Sequence, residues 1–218
     1  RDSNVAVYAV KGNFDDAQTG VKRVFGDKQI AQKLEAENIR LSSANSINWG
    51  RLVPQIVYYF ASYFQLVNTG KITMGERVDY CVPTGNFGDI LAGYYAKRMG
   101  LPVGTLVCAS NRNNVLTDFI STGTYDARRE FHRTTSPSMD ILVSSNLERL
   151  LFHAAGSDKA VAGYMNELNQ NGVYTVSPEV LAVIRENFAC GCASDEEVAA
   201  EIKARYEQDH YLCDTHTA

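Results

Sequence analysis

The sequence predicts an α/β fold in which a parallel sheet carries helices on both faces. Short apolar runs alternate along the 218 residues with segments of helical periodicity, which is the pattern of repeated strand–helix–strand units. The composition, 45% hydrophobic and 21% charged, is that of an ordinary globular protein. A glycine-rich turn, Thr84–Asp89, stands between one apolar run and the helix pattern that follows it, as such folds require.

Five short runs rich in β-forming residues are the predicted strands. In chain order they are Val5–Val10, Val78–Val82, Val103–Ala109, Asp140–Val143 and Tyr211–Cys213. The longest mostly apolar stretch, residues 56–67, is interrupted by Ser62 and Gln65 and is too short to cross a bilayer. We therefore expect no membrane partner.

Periodicity and start signals predict the helices. The first begins near Asp15 and Asp16, whose carboxylates suit a helix N-terminus, and runs towards Phe25. A long apolar helix follows Asn48, and Pro54 either kinks this helix or marks its true first turn. One face of a third pattern, after residue 88, is apolar. Later helices are predicted at Leu147–Phe152, Lys159–Leu168, Pro178–Glu186 and Asp195–Tyr206.

Charge and cysteine usage exclude several classes of function. The net charge of −4 offers no basic surface for a nucleic acid backbone. Five cysteines form no disulfide framework, which favours a reducing cytoplasm. A zinc site drawn from Cys190, Cys192, His210 and Cys213 matches no standard spacing, so ordinary thiols are the preferred interpretation and no metal site is predicted.

The turn TGNFGD, residues 84–89, is the first candidate site. A glycine-rich turn that leads into a helix leaves several backbone N–H groups without intrahelical partners, and the helix dipole favours an anion there. No Gly-Lys-Ser/Thr follows, and the glycines do not form GxGxxG, so the turn is neither a P-loop nor a dinucleotide motif. The alternative is a tight turn that binds nothing.

The second candidate site is the segment Ser46–Arg51. Ser46, Asn48 and Arg51 supply hydroxyl, amide and guanidinium donors at a helix start, a set suited to a phosphate group. The simpler alternative makes Ser46 or Asn48 a helix cap and Arg51 a solvated residue of the first turn. Further on, Asn111–Asn114 follows a predicted strand and forms either a cleft wall or a polar turn.

Several motifs together resemble the threonine synthase family, in the same order and with similar spacing. They are Gly12–Gln18, Ser43–Phe60, Val82–Pro102, Leu116–Phe119, Ser136–Phe152 and Asp214–Ala218. The resemblance covers nearly the whole chain and is weakest between residues 154 and 209. It implies a pyridoxal-phosphate enzyme with a tryptophan-synthase-β-like fold, which converts O-phosphohomoserine and water to threonine and phosphate.

The resemblance also implies a role for each candidate residue. The phosphate of pyridoxal 5′-phosphate would be held by the turn residues Gly85, Asn86, Phe87, Gly88 and Asp89. The phosphate of the substrate would be bound by Ser46, Arg51 and Asn86, with Asn48 as a weaker candidate. The small molecule is the expected partner, and a homodimer is the assembly that the family suggests.

One departure from the family concerns the Schiff-base lysine, which there stands in a Phe-Lys-Asp context. No lysine of this chain does so; they are Lys11, Lys22, Lys28, Lys33, Lys71, Lys97, Lys159 and Lys203. We therefore expect an internal fragment, which also begins without methionine. Residues 1–41 would be the tail of the small domain and residues 42–218 most of the large one. The catalytic lysine would lie upstream, so that the fragment alone is inactive.

Two alternative functions remain open. The first is another pyridoxal-phosphate lyase of the same fold, of the serine or threonine dehydratase type. Ser46 and Arg51 argue against it, because such lyases act on unphosphorylated substrates. The second is a non-catalytic threonine synthase-like domain that keeps the fold for interactions.

Overall fold

The structure is a computed structural model that describes residues 4–12, 14–44 and 46–218. The contacts within the chain divide it into two compact units, residues 1–43 and 44–218. The predicted fragment start at Arg1–Ser3 lies outside the described residues, as does Asn45, which directly precedes the second candidate segment.

The first unit contains two helices, α1 (Phe14–Gly26) and α2 (Lys28–Ala36). The predicted helix near Asp16 is confirmed as α1, although the side chain of Asp15 lies outside the described part. Asp27 starts α2, since its carboxylate accepts hydrogen bonds from the N–H groups of Gln29 (2.8 Å) and Ile30 (3.1 Å). No described side chain of this unit is buried.

The predicted strand Val5–Val10 is wrong. These residues belong to no strand, and Val7 and Tyr8 are 69% and 85% exposed. A strand is stable only when its backbone N–H and C=O groups are paired with a neighbouring strand. The described residues of the first unit include no such neighbour, so β-propensity alone has nothing to act on.

The second unit begins with a broken helix. α3 (Trp49–Leu52) is followed by a 3-10 turn, Val53–Gln55, and then by α4 (Ile56–Asn68). Pro54 stands at the start of the 3-10 turn, where its missing N–H is tolerated. The predicted interruption at Pro54 is confirmed. Tyr59 and Tyr63 of α4 are buried.

In the remaining elements strands and helices alternate, except that α7 and α8 are consecutive. They are β1 (Val78–Pro83), α5 (Gly88–Arg98), β2 (Val103–Ser110), α6 (Val115–Thr122), β3 (Thr124–Asp126), α7 (Leu147–Ala155), α8 (Asp158–Asn171), β4 (Val173–Thr175), α9 (Pro178–Arg185), β5 (Phe188–Cys192) and α10 (Asp195–Asp209). A 3-10 turn, Pro137–Met139, precedes α7. Within the described residues, no helix has the length and apolar character needed to cross a membrane.

A three-stranded parallel sheet with the order β1-β2-β5 organises this unit, and β3 pairs antiparallel with β4. The predicted α/β class with a parallel sheet is confirmed. The core lies between the sheet and its helices: Leu106 and Cys108 of β2 and Phe188 of β5 are almost fully buried. They pack with Leu91 of α5 and Phe119 of α6 in one hydrophobic cluster.

Two further strand predictions are wrong, and three strands, β3, β4 and β5, were missed. Asp140–Val143 and Tyr211–Cys213 form no strand, whereas β5 pairs with β2 from Phe188 to Cys192. Asp140 is buried but binds polar side chains instead of a ladder. Tyr211 is 56% exposed, and only Cys213 of that run is buried. β5 contains Gly191 and two cysteines, a composition with weak β-propensity, and the sheet supplies what the sequence lacks.

Candidate anion-binding site

The turn between β1 and α5 lies at the carboxyl end of β1, the edge at which open α/β sheets bind ligands. Phe87 occupies the N-cap position of α5 with a left-handed backbone, φ 62°. Its ring is 1% exposed and lies 5.5 Å from the ring of Phe188. The buried ring therefore holds in place a backbone conformation that non-glycine residues rarely adopt.

This conformation leaves amide donors available. The N–H of Gly88 donates to Oδ1 of Asn86 at 3.0 Å. The N–H groups of Gly85, Asn86 and Phe87 form no hydrogen bond with any residue that the structure describes. Because the positive end of the α5 dipole adds to these donors, the turn has the donor set of an anion site.

Ser46 lies directly against this turn, although it is distant from Gly88 in the sequence. It is buried, with 8% exposure. A Cβ atom placed on Gly88 would stand 2.6 Å from Oγ and 2.8 Å from Cβ of Ser46. Glycine at position 88 thus permits the approach, and the structure brings Ser46 of the second candidate segment to the first.

Asn146 joins the two segments. It is fully buried at the N-cap position of α7, where its side chain makes no capping hydrogen bond. Its Nδ2 donates to Oγ of Ser46 and to the main-chain oxygen of Asn86, both at 3.0 Å. Its Oδ1 accepts from Arg149. One side chain therefore spans segments 60 and 100 residues away.

Arg149 extends this connection along α7. Its Nη1 donates to the main-chain oxygen of Ser46 at 3.1 Å, and its Nη2 donates to that of Ile47 at 2.9 Å. Its guanidinium carbon stands 5.6 Å from the centre of the Trp49 ring, within cation–π range. The backbone at Ser46 and Ile47 is therefore fixed by α7.

The contacts of Asn48 and Arg51 lie within their own segment, whereas Ser46 contacts the turn. Oδ1 of Asn48 accepts from the N–H of Gly50 at 3.0 Å, so Asn48 caps α3. Arg51 is exposed, and its Nε donates to the main-chain oxygen of Ala44 at 3.0 Å. Its Nη groups form no hydrogen bond with a described residue, which leaves the fork of the guanidinium available.

Asp89 and Tyr59 form the floor of the turn towards α4. The hydroxyl of Tyr59 donates to the main-chain oxygen of Asp89 at 2.9 Å, while Oδ1 of Asp89 is buried without a partner among the described residues. Burial raises the pKa of the Asp89 carboxyl, and the nearby hydroxyl of Tyr59 offsets this only in part. Burial, and then the neighbouring Asp89, raise the pKa of Tyr59.

A buried polar network supports the other side of the turn. Oδ1 of Asp140 accepts from Nδ2 of Asn111 (2.8 Å), from Nδ2 of Asn113 (3.0 Å) and from Oγ1 of Thr134 (2.7 Å). This network fixes the chain just ahead of and behind the 3-10 turn at 137–139. A Cβ on Gly85 would stand 2.8 Å from the main-chain oxygen of Ser138, so the two turns pack in close contact.

A cavity of about 640 Å³ opens on the sheet face opposite α5 and α6. Cys81, Ala109 and Gly191 of the three parallel strands line it, together with Met139 and His216. Nε2 of His216 accepts from the N–H of Ser138 at 3.2 Å, which ties the C-terminal residues to the 3-10 turn. The cavity therefore lies beside the structural support of the glycine-rich turn.

The cysteines form no metal centre in the part of the chain that the structure describes. No group of three or more His, Cys, Asp or Glu side chains there is arranged to hold an ion. Cys190 lies in β5, where its thiol is 3.3 Å from Oγ of Ser121. Burial raises the pKa of Cys108 to about 12, so this thiol is unreactive at neutral pH.

The sequence interpretation missed Asn146, Arg149 and Tyr59. An asparagine before a helix indicates a cap, and an arginine or tyrosine in a helical pattern indicates surface or core. No local signal shows that Asn146 turns away from its own helix. Asn146 and Arg149 contact residues 60 to 103 positions away, and Tyr59 contacts Asp89, 30 positions away, so only the fold brings these residues together.

Comparison with known proteins gives consistent relatives. No family model matches the chain. Human threonine synthase-like 1 is 45% identical over 221 residues, which cover 100% of this chain and 30% of that protein. The threonine synthase of Schizosaccharomyces pombe is 43% identical over 238 residues, covering 100% of this chain and 45% of the relative. The chain thus spans less than half of the length of these relatives.

A solved structure, the pyridoxal-phosphate-bound threonine synthase of Brucella melitensis, resembles the fold with a TM-score of 0.81 at 46% identity. The match covers 94% of this chain and 42% of that one. The similarity in sequence and the similarity in structure therefore both point to threonine synthases and proteins like them.

Proposed function

We propose, from the premise that this chain belongs with the threonine synthases in sequence and in fold, that it forms the phosphate-handling part of a pyridoxal-phosphate-dependent lyase. The full-length protein would convert O-phosphohomoserine and water to threonine and phosphate. Residues 42–218 would belong to the large domain of that enzyme and residues 1–41 to the small one. No catalytic lysine is assigned to this chain, so we expect no turnover from it alone.

The observation that carries the proposal is the contact between Ser46 and Gly88. Two segments that each have the donor set of a phosphate site lie against one another, and Asn146 hydrogen-bonds to both. An enzyme that holds a phosphorylated cofactor and a phosphorylated substrate needs two adjacent anion sites. If the turn only capped α5, it would not need a buried serine hydroxyl beside it. Ser46, which comes from the segment before α3, supplies such a hydroxyl.

The residues of the turn fit the phosphate of pyridoxal phosphate. The unpaired amides of Gly85, Asn86 and Phe87 and the N-terminus of α5 would donate to its oxygens. A Cβ at Gly88 would collide with Ser46, and a Cβ at Gly85 with the main-chain oxygen of Ser138, so glycine at both positions lets these neighbours pack against the turn. When it is bound, pyridoxal phosphate supplies an electron sink for chemistry at the substrate's carbon atoms.

The second segment would bind the phosphate of the substrate. This group would be surrounded by the hydroxyl of Ser46, the side-chain amide of Asn86 and the guanidinium of Arg51. Asn48 would contribute by capping α3. A phosphate monoester carries about two negative charges at neutral pH, and charge-assisted donors orient it as well as bind it. Arg51 would also stabilise the charge of the phosphate as it leaves.

A variant of Arg51 tests the proposal. Arg51→Ala in the full-length protein should lower kcat/KM for O-phosphohomoserine by roughly ten- to a hundred-fold, because a hydrogen bond to a charged group is lost. Cofactor content should remain normal, since the turn residues hold the cofactor. Phosphate release and cofactor absorbance measure the two quantities.

Arg77→Ala is the matched control. Arg77 is also exposed but precedes β1, at the end of the strand away from the turn. It should leave kcat/KM unchanged. Normal turnover by Arg51→Ala would remove Arg51 from the site, and a wild type that prefers unphosphorylated serine or threonine would favour the dehydratase alternative.

The similarity to threonine synthase-like 1 favours a second candidate, a non-catalytic threonine synthase-like domain. The two candidates differ in one measurement, because the non-catalytic domain would bind phosphate ligands but release none from O-phosphohomoserine. We further propose a cytoplasmic location, which is supported by five cysteines that are all unpaired. Light scattering of the purified protein tests the suggested homodimer.

A further inference from the structure

We propose that Asn146 is a positioning residue that sets the Ser46 hydroxyl as an anion donor. This role rests on the proposed function, because it concerns the substrate-phosphate side of the same site. Asn146 is 0% exposed, and a buried amide must satisfy its donors and its acceptor within the protein. All of its side-chain polar atoms have partners.

The partners fix the orientation of the amide. Nδ2 points to two acceptors, Oγ of Ser46 and the main-chain oxygen of Asn86, while Oδ1 points to the guanidinium of Arg149. The reversed amide would place oxygen against a carbonyl oxygen and N–H groups against a cation. Only one orientation is therefore compatible with the surroundings, and in it Asn146 is a donor to Ser46.

This orientation decides what the serine can do. A hydroxyl has one proton and two lone pairs, and Asn146 occupies a lone pair of Ser46. The hydroxyl proton of Ser46 has no acceptor among the described residues. It remains available to donate, and a phosphate oxygen is the partner that the neighbouring amides favour. An accepted hydrogen bond also polarises the hydroxyl and strengthens the bond that it donates.

The same side chain fixes the distance between the two sites. The second hydrogen of Nδ2 holds the carbonyl of Asn86, which belongs to the turn. Arg149 holds the main-chain oxygens of Ser46 and of the residue after it. Asn146 thus couples the position of Ser46 to the position of the turn, so a change at Asn146 acts on the anion through Ser46 and not by contact.

Two variants separate this role from a purely structural one. In Asn146→Ala the Ser46 hydroxyl loses its donor and is free to rotate, so affinity for inorganic phosphate should fall about 2- to 10-fold. In Asn146→Asp the shape is kept and Arg149 pairs with the new carboxylate. The Ser46 proton then turns to that carboxylate, and affinity should fall by roughly 10- to 100-fold.

The measurement is titration calorimetry of inorganic phosphate into the full-length protein loaded with its cofactor, with cofactor content and melting temperature recorded beside it. Ser46→Ala should weaken phosphate binding, and adding Asn146→Ala to Ser46→Ala should cause less than about a 2-fold further loss, because the two residues act as one unit. Asn187→Ala is the control. The side-chain amide of Asn187 is also hydrogen-bonded within the protein, with Nδ2 donating to the main-chain oxygen of Val183 at 3.2 Å. Asn187 directly precedes β5, at the end of the parallel sheet away from the turn, so this variant should leave phosphate affinity unchanged.

The outcomes distinguish this inference from the proposed function. If Ser46→Ala weakens phosphate binding and both Asn146 variants bind as the wild type does, the positioning role is overturned and the site stands. The positioning role is likewise overturned if Asn146→Ala lowers phosphate affinity by the same factor in the wild type and in the Ser46→Ala variant. If Ser46→Ala binds phosphate normally, the assignment of Ser46 fails, and the role of Asn146 fails with it.

Discussion

Asp89 is the one charged residue of the turn, and its buried negative charge lowers the stability of the folded state. Its carboxyl is buried beside Tyr59, and its Oδ1 has no partner within the described residues. The N-terminus of a helix attracts a carboxylate, yet the pKa of Asp89 is raised, so loss of hydration outweighs that attraction. Its amide N–H, and not its side chain, is what the proposed site uses.

We expect Asp89→Asn to stabilise the protein at neutral pH. A raised pKa in the folded state means that the stability linked to Asp89 is complete below its ordinary value of 3.8 and is lost as the pH rises through the raised value. The uncharged variant should therefore exceed the wild type in free energy of unfolding at pH 7. The difference should shrink as the pH falls and vanish below about pH 3.8. Urea unfolding at pH 7, 5 and 3.5 measures it.

Asp126→Asn is the control with the opposite sign. The hydrogen bonds from Arg128 hold the pKa of Asp126 at about 2, below its ordinary value. This variant should be less stable than the wild type at pH 7, and its deficit should disappear as the pH falls towards 2. A pH-independent effect of Asp89→Asn would contradict the assignment of a buried charge.

At the scale of single residues, the sequence identifies the donor types but not their neighbours. Glycines, an asparagine and a serine at helix starts predicted two separate anion sites. The contact between Ser46 and Gly88, and the bridge through Asn146, depend on how α7 is placed against the turn. Nothing in the local pattern carries that information, because a capping asparagine and a bridging asparagine have the same sequence signature.

At the scale of elements, the start of α5 depends on a left-handed residue that is not glycine. Phe87 has φ 62°, a region that costs non-glycine residues roughly 1–2 kcal/mol. Its buried ring against Phe188 offsets that cost. Comparing the stabilities of Phe87→Gly and Phe87→Ala, which both lack the ring, therefore tests whether the backbone at position 87 is strained.

Phe87→Gly should be at least as stable as Phe87→Ala. Both lose the packing of the ring, at about 3–5 kcal/mol. Alanine keeps the strained backbone, whereas glycine removes the strain and costs only about 0.4–1 kcal/mol through the unfolded state. Chemical denaturation of both variants measures the difference. Ala199→Gly, on an exposed face of α10, is the control and should show the usual order, with glycine less stable by about 1 kcal/mol. Alanine clearly above glycine at both positions would contradict the strain.

Elements were predictable where their own residues contain the signal. Ser177 and Ser194 accept hydrogen bonds from Val180 and Glu197, and the helices that they start were expected from the sequence. Strands depended on partners instead. Val5–Val10 has the composition of a strand but no partner strand among the described residues. Phe188–Cys192 has a composition with weak β-propensity but forms a strand because it pairs with β2. Strand formation is a property of the pair.

At the scale of the whole molecule, the stabilising contacts are concentrated in one unit. The hydrophobic cluster extends from Leu52 to Phe188, and all of it belongs to residues 44–218. The parallel sheet, the turn, Ser46 and Asn146 belong to the same unit. The proposed site is therefore built on the unit that contains the hydrophobic cluster, which gives a preorganised phosphate site the packing it needs.

Hydrogen exchange should divide the chain at the same place. The described residues of the first unit include no buried side chain, so α1 and α2 open at little cost in free energy. The strand β2 is hydrogen-bonded on both sides, to β1 and to β5, and opens only when the unit unfolds. Under native conditions the amides of residues 14–36 should exchange at least about a hundred-fold faster than those of β2, since local opening spans free energies from near zero to the global value. Mass spectrometry of peptic fragments measures both regions in one experiment, with α10 as an internal reference for a helix of the second unit. Protection of α1 and α2 equal to that of β2 would show that the chain unfolds as one cooperative body.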